Sequence, residues 1–356
     1  MAIVMGERAA EWLQAGAFFE WTPPDREPLK IFHVELGDPD APLLLLVHGF
    51  PTSSIDWQPL AGLLAQDLRV CMLDFPGFGF SDKPRDGGYG LQRDRLLLEY
   101  YLGEVLGARS GSVVAHDRGD SVALTLAERC ASDDAPFELH HLVLSNGNMF
   151  LPLSNLTTFQ RLILDPGSAP PVLEAMTPEM LAAGMGMTTF TPPRPPQDPE
   201  VVALADTFAH NDGIAVLHET IQYLVERSQN ERGWLDTLAS LEVPTTLVWG
   251  LYDTVSPLRV ANHVWSTFLA SKPGRNEFWL LPRANHYLQN DQPEQFATVI
   301  RTSMSDTEPE PGALGDDPGA PIFVDRSRRE LPTAEEVLAQ PASVETLQQQ
   351  AARLEG

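Results

Sequence analysis

Three short segments carry residue types that could together do covalent chemistry. The first is Val113-Val114-Ala115-His116-Asp117-Arg118-Gly119-Asp120-Ser121-Val122-Ala123, where an apolar run meets a charged cluster and a helix-like pattern begins. Two residues compete as its nucleophile. A side chain presented on a sharp strand-to-helix turn needs small residues two positions before and two after it. Ala115 and Gly119 satisfy this for Asp117, and Gly119 and Ala123 satisfy it for Ser121. The preceding strand separates the two frames. Asp117 follows Ser112–His116, which is short and apolar. Ser121 would need a strand containing His116, Asp117 and Arg118. A parallel strand buried on both faces does not hold such a run without partners. Asp117 is therefore the expected nucleophile, with Ser121 as the alternative.

The second segment, Leu247-Val248-Trp249-Gly250-Leu251-Tyr252-Asp253, is an apolar strand ending in Gly and an acid. The third is Arg283-Ala284-Asn285-His286-Tyr287, after the last strand of the pattern. Taken singly each is weak, because an acid after a strand often caps a helix. Together they give the order nucleophile, acid, histidine, with Asp117, Asp253 and His286 in those roles. An aspartate is ionised at neutral pH and needs no base to attack. The histidine would be needed only for a second, hydrolytic step. His48-Gly49-Phe50-Pro51 follows another apolar strand, and the backbone N–H groups of Phe50 and Arg118 are expected to form an oxyanion hole. The Gly-rich run Leu73–Pro84 has no phosphate-binding arrangement and reads as a tightly packed loop.

These residues must be held by alternating strands and helices, and the chain has that pattern. Leu43–Val47, Arg69–Leu73, Ser112–Ala115, His141–Leu144, Thr245–Trp249 and Glu277–Leu281 read as strands, after two opening strands at Phe18–Trp21 and Ile31–Leu36. Helix-like segments separate most of them, Leu91–Leu106 among them, which predicts an α/β fold with a mostly parallel central sheet flanked by helices. Residues 150–238 differ: they are rich in Pro and Met and contain only helix-like pieces, Val216–Arg227 among them. The expected organisation is a core of residues 1–149 and 239–304, a helical cap at 150–238, and an acidic extension at 305–356. That extension reads as solvated, although Ile322-Phe323-Val324 and the pattern Val344, Leu347, Ala351, Leu354 could pack on the core or on a neighbour.

The 356 residues carry a formal charge of −25, which argues against nucleic acid or an anionic membrane as partner. No apolar run reaches the roughly 18 residues of a membrane span. Nor does the N-terminus resemble a secretory signal. The two cysteines read as reduced thiols, and the expected location is the cytoplasm. No cofactor or metal is expected, and the chain is expected to be a monomer or homodimer.

With His48–Pro51, His116–Gly119, Asp253 and His286 in place, the chain resembles the aspartate-nucleophile α/β-hydrolases, which include epoxide hydrolases and haloalkane and haloacetate dehalogenases. Within them it is most similar to the mesoderm-specific transcript group. That likeness is carried by HGFPTSS with Asp56-Trp57, LDF-x-GFGFSDKP, Leu144–Gly147, Asn211–Gly213 and Ile221–Leu224, and it spans roughly residues 15–304. It implies an α/β-hydrolase fold with an inserted helical cap domain.

Departures from the relatives narrow the expected reaction. Haloalkane dehalogenases place Trp after the nucleophile and often Asn after the His-Gly pair; here those residues are Arg118 and Phe50. Haloacetate dehalogenases carry a second Arg four residues after the nucleophile, and here that residue is Ser121. Epoxide hydrolases use cap tyrosines to protonate the oxygen, for which Tyr223 is the candidate. The resemblance thus implies an epoxide hydrolase acting through an aspartyl ester. The alternatives are a haloacetate or haloalkane dehalogenase, a serine esterase using Ser121, and a non-catalytic binding protein on this fold. Tyr223, Trp57 and the Arg118 side chain are the candidate substrate contacts. The methionines and phenylalanines of the cap (Met149, Met176, Met180, Met185, Met187, Phe150, Phe159, Phe190) suggest a small, largely apolar substrate.

Overall fold

The structure is a computed structural model and describes residues 5–305 and 309–327. Continuous apolar runs become the centre of one sheet. β3 (Leu43–Val47) is buried along its whole length and lies between β4 (Arg69–Leu73) and β5 (Ser110–His116), parallel to both. Both faces of these strands are covered, which is why they read as unbroken apolar runs rather than alternating ones. β6 (Glu138–Ser145), β7 (Thr245–Gly250) and β8 (Asn276–Leu281) continue the parallel set. At one edge β1 (Ala17–Trp21) and β2 (Leu29–Leu36) join antiparallel through β4. The order is β1-β2-β4-β3-β5-β6-β7-β8, followed at the other edge by β10 (Ile322–Arg326) and the short β9 (Gly312–Ala313).

β10 settles one question left open by the sequence. Residues 322–326 are not a solvated extension. They pair antiparallel with β8, and the Phe323 ring packs 4.8 Å from that of Trp279. Glu277 of β8 takes an ion pair from Arg326 at 2.8 Å, which fixes the strand's end. The second packing pattern, Val344 to Leu354, lies outside the described residues.

The helices fall largely where apolar periodicity puts them, with local differences. The expected helix Leu91–Leu106 runs as α-helix to Tyr100 and then as a π turn, Tyr101–Val105. The expected helix Val216–Arg227 is two pieces, Leu217–Thr220 and Tyr223–Ser240, interrupted at Ile221-Gln222. The helix Glu7–Ala15, which the apolar pattern does not predict, precedes the sheet and buries Ala9 and Trp12. It packs on Pro199–Ala209, to which it is tied by the Gly6 N–H on Asp206 at 2.8 Å. Between β6 and β7 the described chain contains only helices and connections, so the 150–238 segment is a helical insertion between neighbouring parallel strands.

Candidate active site

β5 ends at His116, and the chain turns sharply into the helix Arg118–Cys130. Asp117 makes that turn with φ 53° and ψ −118°, a conformation a non-glycine residue adopts only when its surroundings enforce it. The turn is pressed from below. A Cβ on Gly119 would stand 2.4 Å from the Val47 carbonyl oxygen, so the position two after Asp117 can only be glycine. It is pressed from the side as well, since a Cβ on Gly49 would stand 2.6 Å from that of Asp117. The loop His48-Gly49-Phe50 therefore lies directly against the carboxylate. His48 is locked in this loop as a neutral ring: its Nε2 accepts from the Phe75 N–H at 3.1 Å, leaving Nδ1 to donate to the Gly49 carbonyl at 2.8 Å. Burial, with the nearby Arg118 cation adding to it, pushes the His48 pKa down to about 3. His48 thus builds the loop.

Asp117 is buried, and neither carboxylate oxygen has a hydrogen-bond partner among the described residues. Its nearest charged neighbour is His286, whose Nε2 lies 3.8 Å from Oδ2. The other face of that imidazole is held by Asp253, with Nδ1 3.1 Å from Oδ2 and 3.2 Å from Oδ1. Asp253 follows β7 and is oriented by the N–H groups of Val255 and Ser256, which donate to Oδ1 at 2.8 and 2.9 Å. Burial alone would drive the His286 pKa down. The two carboxylates more than reverse this and carry it up to about 10.

The backbone of His286 is clamped as firmly as its ring. Its carbonyl accepts from His116 Nε2 at 2.8 Å and from Asn146 Nδ2 at 2.9 Å. Asn146, at φ 50° after β6, also donates to the Asn285 carbonyl at 2.8 Å and accepts from the Gly250 N–H at 3.0 Å. One amide thus ties the ends of β6 and β7 to the histidine loop. The His286 N–H reaches the Thr189 carbonyl of the helical insertion at 3.1 Å.

The remaining sequence candidates have distinct settings. Phe50 packs its ring 5.9 Å from that of Tyr223. Arg118, first residue of its helix, has a backbone N–H outside the helical ladder. Its side chain ion-pairs with buried Asp94 and lies over the rings of Phe78, Phe75 and Tyr223 at 5.2, 5.5 and 5.5 Å. Its acid partner is therefore Asp94. Tyr223 begins the helix Tyr223–Ser240, and its buried hydroxyl has no partner among the described residues. Trp57 is fully buried, with its ring centroid 6.3 Å from that of His116 and 6.4 Å from that of Phe296. Of the side chains expected to line an apolar pocket, Met180 and Met187 are instead 56% and 54% exposed. Phe150 packs at a tilt against His263, with ring centroids 4.1 Å apart, and Phe190 stacks on Tyr287 at 4.9 Å.

Sequence reasoning missed Arg227, Asp94 and Asn146. Arg227 is fully buried, donates from Nη1 to Ser121 Oγ at 3.1 Å and from Nη2 to the Met149 carbonyl. Its position four residues after Tyr223 puts both on one helix face, a signal available in the sequence. Ser121 is thereby engaged by a cation, while His286 stands with Asp117 and Asp253. Asp94 and Asn146 had no such local signal.

Known proteins support this architecture. Residues 44–299 match the family model described as the alpha/beta hydrolase family. The bovine (Bos taurus) mesoderm-specific transcript homolog protein is 33% identical over 254 residues, covering 69% of this chain and 73% of that protein. The putative hydrolase LipZ of Mycobacterium tuberculosis is 32% identical over 298 residues, covering 83% of this chain and 98% of that protein. Among solved structures, haloalkane dehalogenase DbeA from Bradyrhizobium elkani superposes with a TM-score of 0.66 at 22% identity, over 81% of this chain and 97% of that one, a likeness of fold. Sequence motifs, sheet order and family match agree: this chain is a member of the alpha/beta hydrolase family.

Proposed function

We propose that this hydrolase opens epoxides through a covalent ester on Asp117, with residues 150–238 acting as a cap domain over a core of 1–149 and 239–304. One observation carries the reading. A buried carboxylate with both oxygens free of hydrogen bonds faces a histidine backed by a second acid, whereas the rival nucleophile Ser121 is occupied by Arg227. Oxygen lone pairs not held by donors are free to attack carbon.

In the first step an Asp117 oxygen attacks the less hindered epoxide carbon, the C–O bond breaks, and the ester forms. Tyr223 donates its proton to the departing alkoxide, a role favoured by its buried, unpartnered hydroxyl. Formation of the ester removes the Asp117 charge that helps to hold the proton on His286. The imidazole can then pass that proton to the Tyr223 phenolate and serve as general base for water, with Asp253 stabilising the imidazolium that results. Water attacks the ester carbonyl, the N–H groups of Phe50 and Arg118 hold the oxyanion, and the diol departs as Asp117 is restored. Esterase chemistry at Ser121 finds no base in this arrangement, and halide release finds no Trp at position 118.

The test is a panel of styrene oxide, 1-chlorobutane, chloroacetate and p-nitrophenyl acetate against wild type, Asp117→Asn and Ser121→Ala. Diol formation from styrene oxide, lost in Asp117→Asn and retained in Ser121→Ala, is the expected result. Ester cleavage lost only in Ser121→Ala, or chloride release without diol formation, would overturn it.

A further inference from the structure

Among the described residues most buried polar side chains find partners, and a minority carry atoms that do not. Asn148 is one of them and belongs to none of the networks above. It is 5% exposed, yet neither its Oδ1 nor its Nδ2 has a hydrogen-bond partner among the described residues. An amide can donate twice and accept twice. Leaving it buried and unpaired costs about 1–3 kcal/mol per group, so such a residue calls for an explanation.

Its flanks fix where it stands. It lies three residues beyond β6, the strand paired with the one that carries Asp117, with Ser145 opposite His116. Asn146 holds the His286 loop. The Gly147 carbonyl accepts from Ser256 at 2.7 Å, in the loop that orients Asp253. The Met149 carbonyl accepts from Arg227, one turn along the helix from Tyr223. The segment is therefore pinned on both sides of residue 148, to the acid–histidine pair and to the tyrosine-bearing helix. Asn146, Gly147 and Met149 are used in that pinning, and the Asn148 amide is left over.

We infer that Asn148 is a specificity-determining residue, whose amide grips a polar group on the substrate that both donates and accepts hydrogen bonds, such as a primary carboxamide near the reacting carbon. A paired amide–amide contact would satisfy one donor and one acceptor on each side. Because a site built to hydrogen-bond a substrate rejects the analogue lacking the group, Asn148 sets preference rather than rate. The substrate is then polar at one end, in contrast to the largely apolar molecule that the cap composition suggests.

The kinetic arm rests on the epoxide reading, and the binding arm does not. The kinetic arm compares kcat/KM for glycidamide and 1,2-epoxybutane in wild type, Asn148→Ala and Asn148→Asp. The binding arm titrates butyramide and 2-pentanone into the same proteins by NMR. Asn148→Ala should lower the glycidamide-to-epoxybutane ratio about tenfold or more, keep epoxybutane turnover within about threefold, and weaken butyramide but not 2-pentanone; these sizes correspond to the loss of a buried polar pair. An unchanged ratio with unchanged butyramide binding overturns the inference and makes Asn148 a site for ordered water only. Equal losses on both epoxides overturn it in favour of a structural role. If wild type opens neither epoxide, the reaction reading fails alone, and the butyramide titration still decides Asn148. Asn148→Asp, which keeps the shape, supplies the comparison if the alanine variant does not fold.

Discussion

The guanidinium of Arg227, carried on the helical insertion, donates to the hydroxyl of Ser121 in the helix that starts at the Asp117 turn, at 3.1 Å. This contact bears on both the choice of nucleophile and the anchoring of the insertion. It predicts that Ser121→Ala keeps hydrolysis within a few-fold of wild type. The variant should lose about 1.5–3 kcal/mol of stability, the usual worth of a hydrogen bond to a charged group. Urea denaturation alongside the rate assay checks both, and a variant that is stable but inactive would contradict the argument.

Replacing His286 by Gln should separate the two chemical steps. The carboxylate can still attack, but no base remains to activate water. A stoichiometric adduct should accumulate on the peptide containing Asp117, seen as a mass increase equal to the whole epoxide. An adduct on any other residue would contradict the assignment.

The pH dependence of the two steps should differ, and its sign follows from the charges. In the free enzyme Asp253 and Asp117 carry the His286 pKa up to about 10. Esterification neutralises one of them, so the imidazole loses its proton more readily afterwards. Single-turnover measurements should show ester formation nearly flat from pH 6 to 9, and ester hydrolysis rising with pH along a limb whose midpoint lies below 10. The same group stabilises the fold below its unfolded pKa of about 6.5, and that stabilisation fades as pH rises toward 10. A hydrolysis limb centred at or above 10 would mean that the Asp117 charge does not hold the proton.

How far the sequence discloses this protein depends on whether a residue's partner is local. The meeting of Asp117, Asp253 and His286 was legible because each follows a strand whose apolar run stands out, and parallel strands bring their C-terminal ends to one edge. β3 and β4 were legible to the residue because both of their faces are buried. The Arg227–Ser121 contact was not, since 106 residues separate its partners. Asp94 was hidden in the same way: its acid reads as one charge of a solvated helix until the fold sets Arg118 against it. The helix Glu7–Ala15 is nine residues long and buries only two of them, too faint a stripe to recognise. β10 lay in an acidic tail whose composition outweighed its three apolar residues, and only the open edge of β8 gave them a place.

Arg118 and Asp94 form a buried pair, so removing one side should cost far more than removing both. Asp94→Leu alone leaves a buried cation without its counter-charge, a loss of about 3–5 kcal/mol. Burial raises the Asp94 pKa to about 6 against the pull of Arg118. The folded state therefore favours the protonated acid, and Asp94 costs stability as pH rises from about 4 through 6. The double variant Asp94→Leu/Arg118→Met should be more stable than either single one, because an apolar pair of similar size avoids both desolvation costs. A double-mutant cycle in urea checks this, and additive single losses would show that the two residues act separately.

Tyr223→Phe gives the sharpest separation of stability from function. The phenol is buried without a partner, so removing its oxygen should leave stability unchanged or raise it by about 1 kcal/mol. In the proposed reaction it protonates the opening epoxide, so its loss should lower kcat/KM about 10²–10⁴-fold, the usual worth of a positioned acid. Two further readouts distinguish this from damage to packing. The Phe variant should open epoxides carrying good leaving alkoxides with a smaller loss, since these need less protonation. Its thermal midpoint should also stay at or above that of wild type. A variant that loses stability and activity together, equally for all epoxides, would reduce Tyr223 to the aromatic that packs between Phe50 and Arg118.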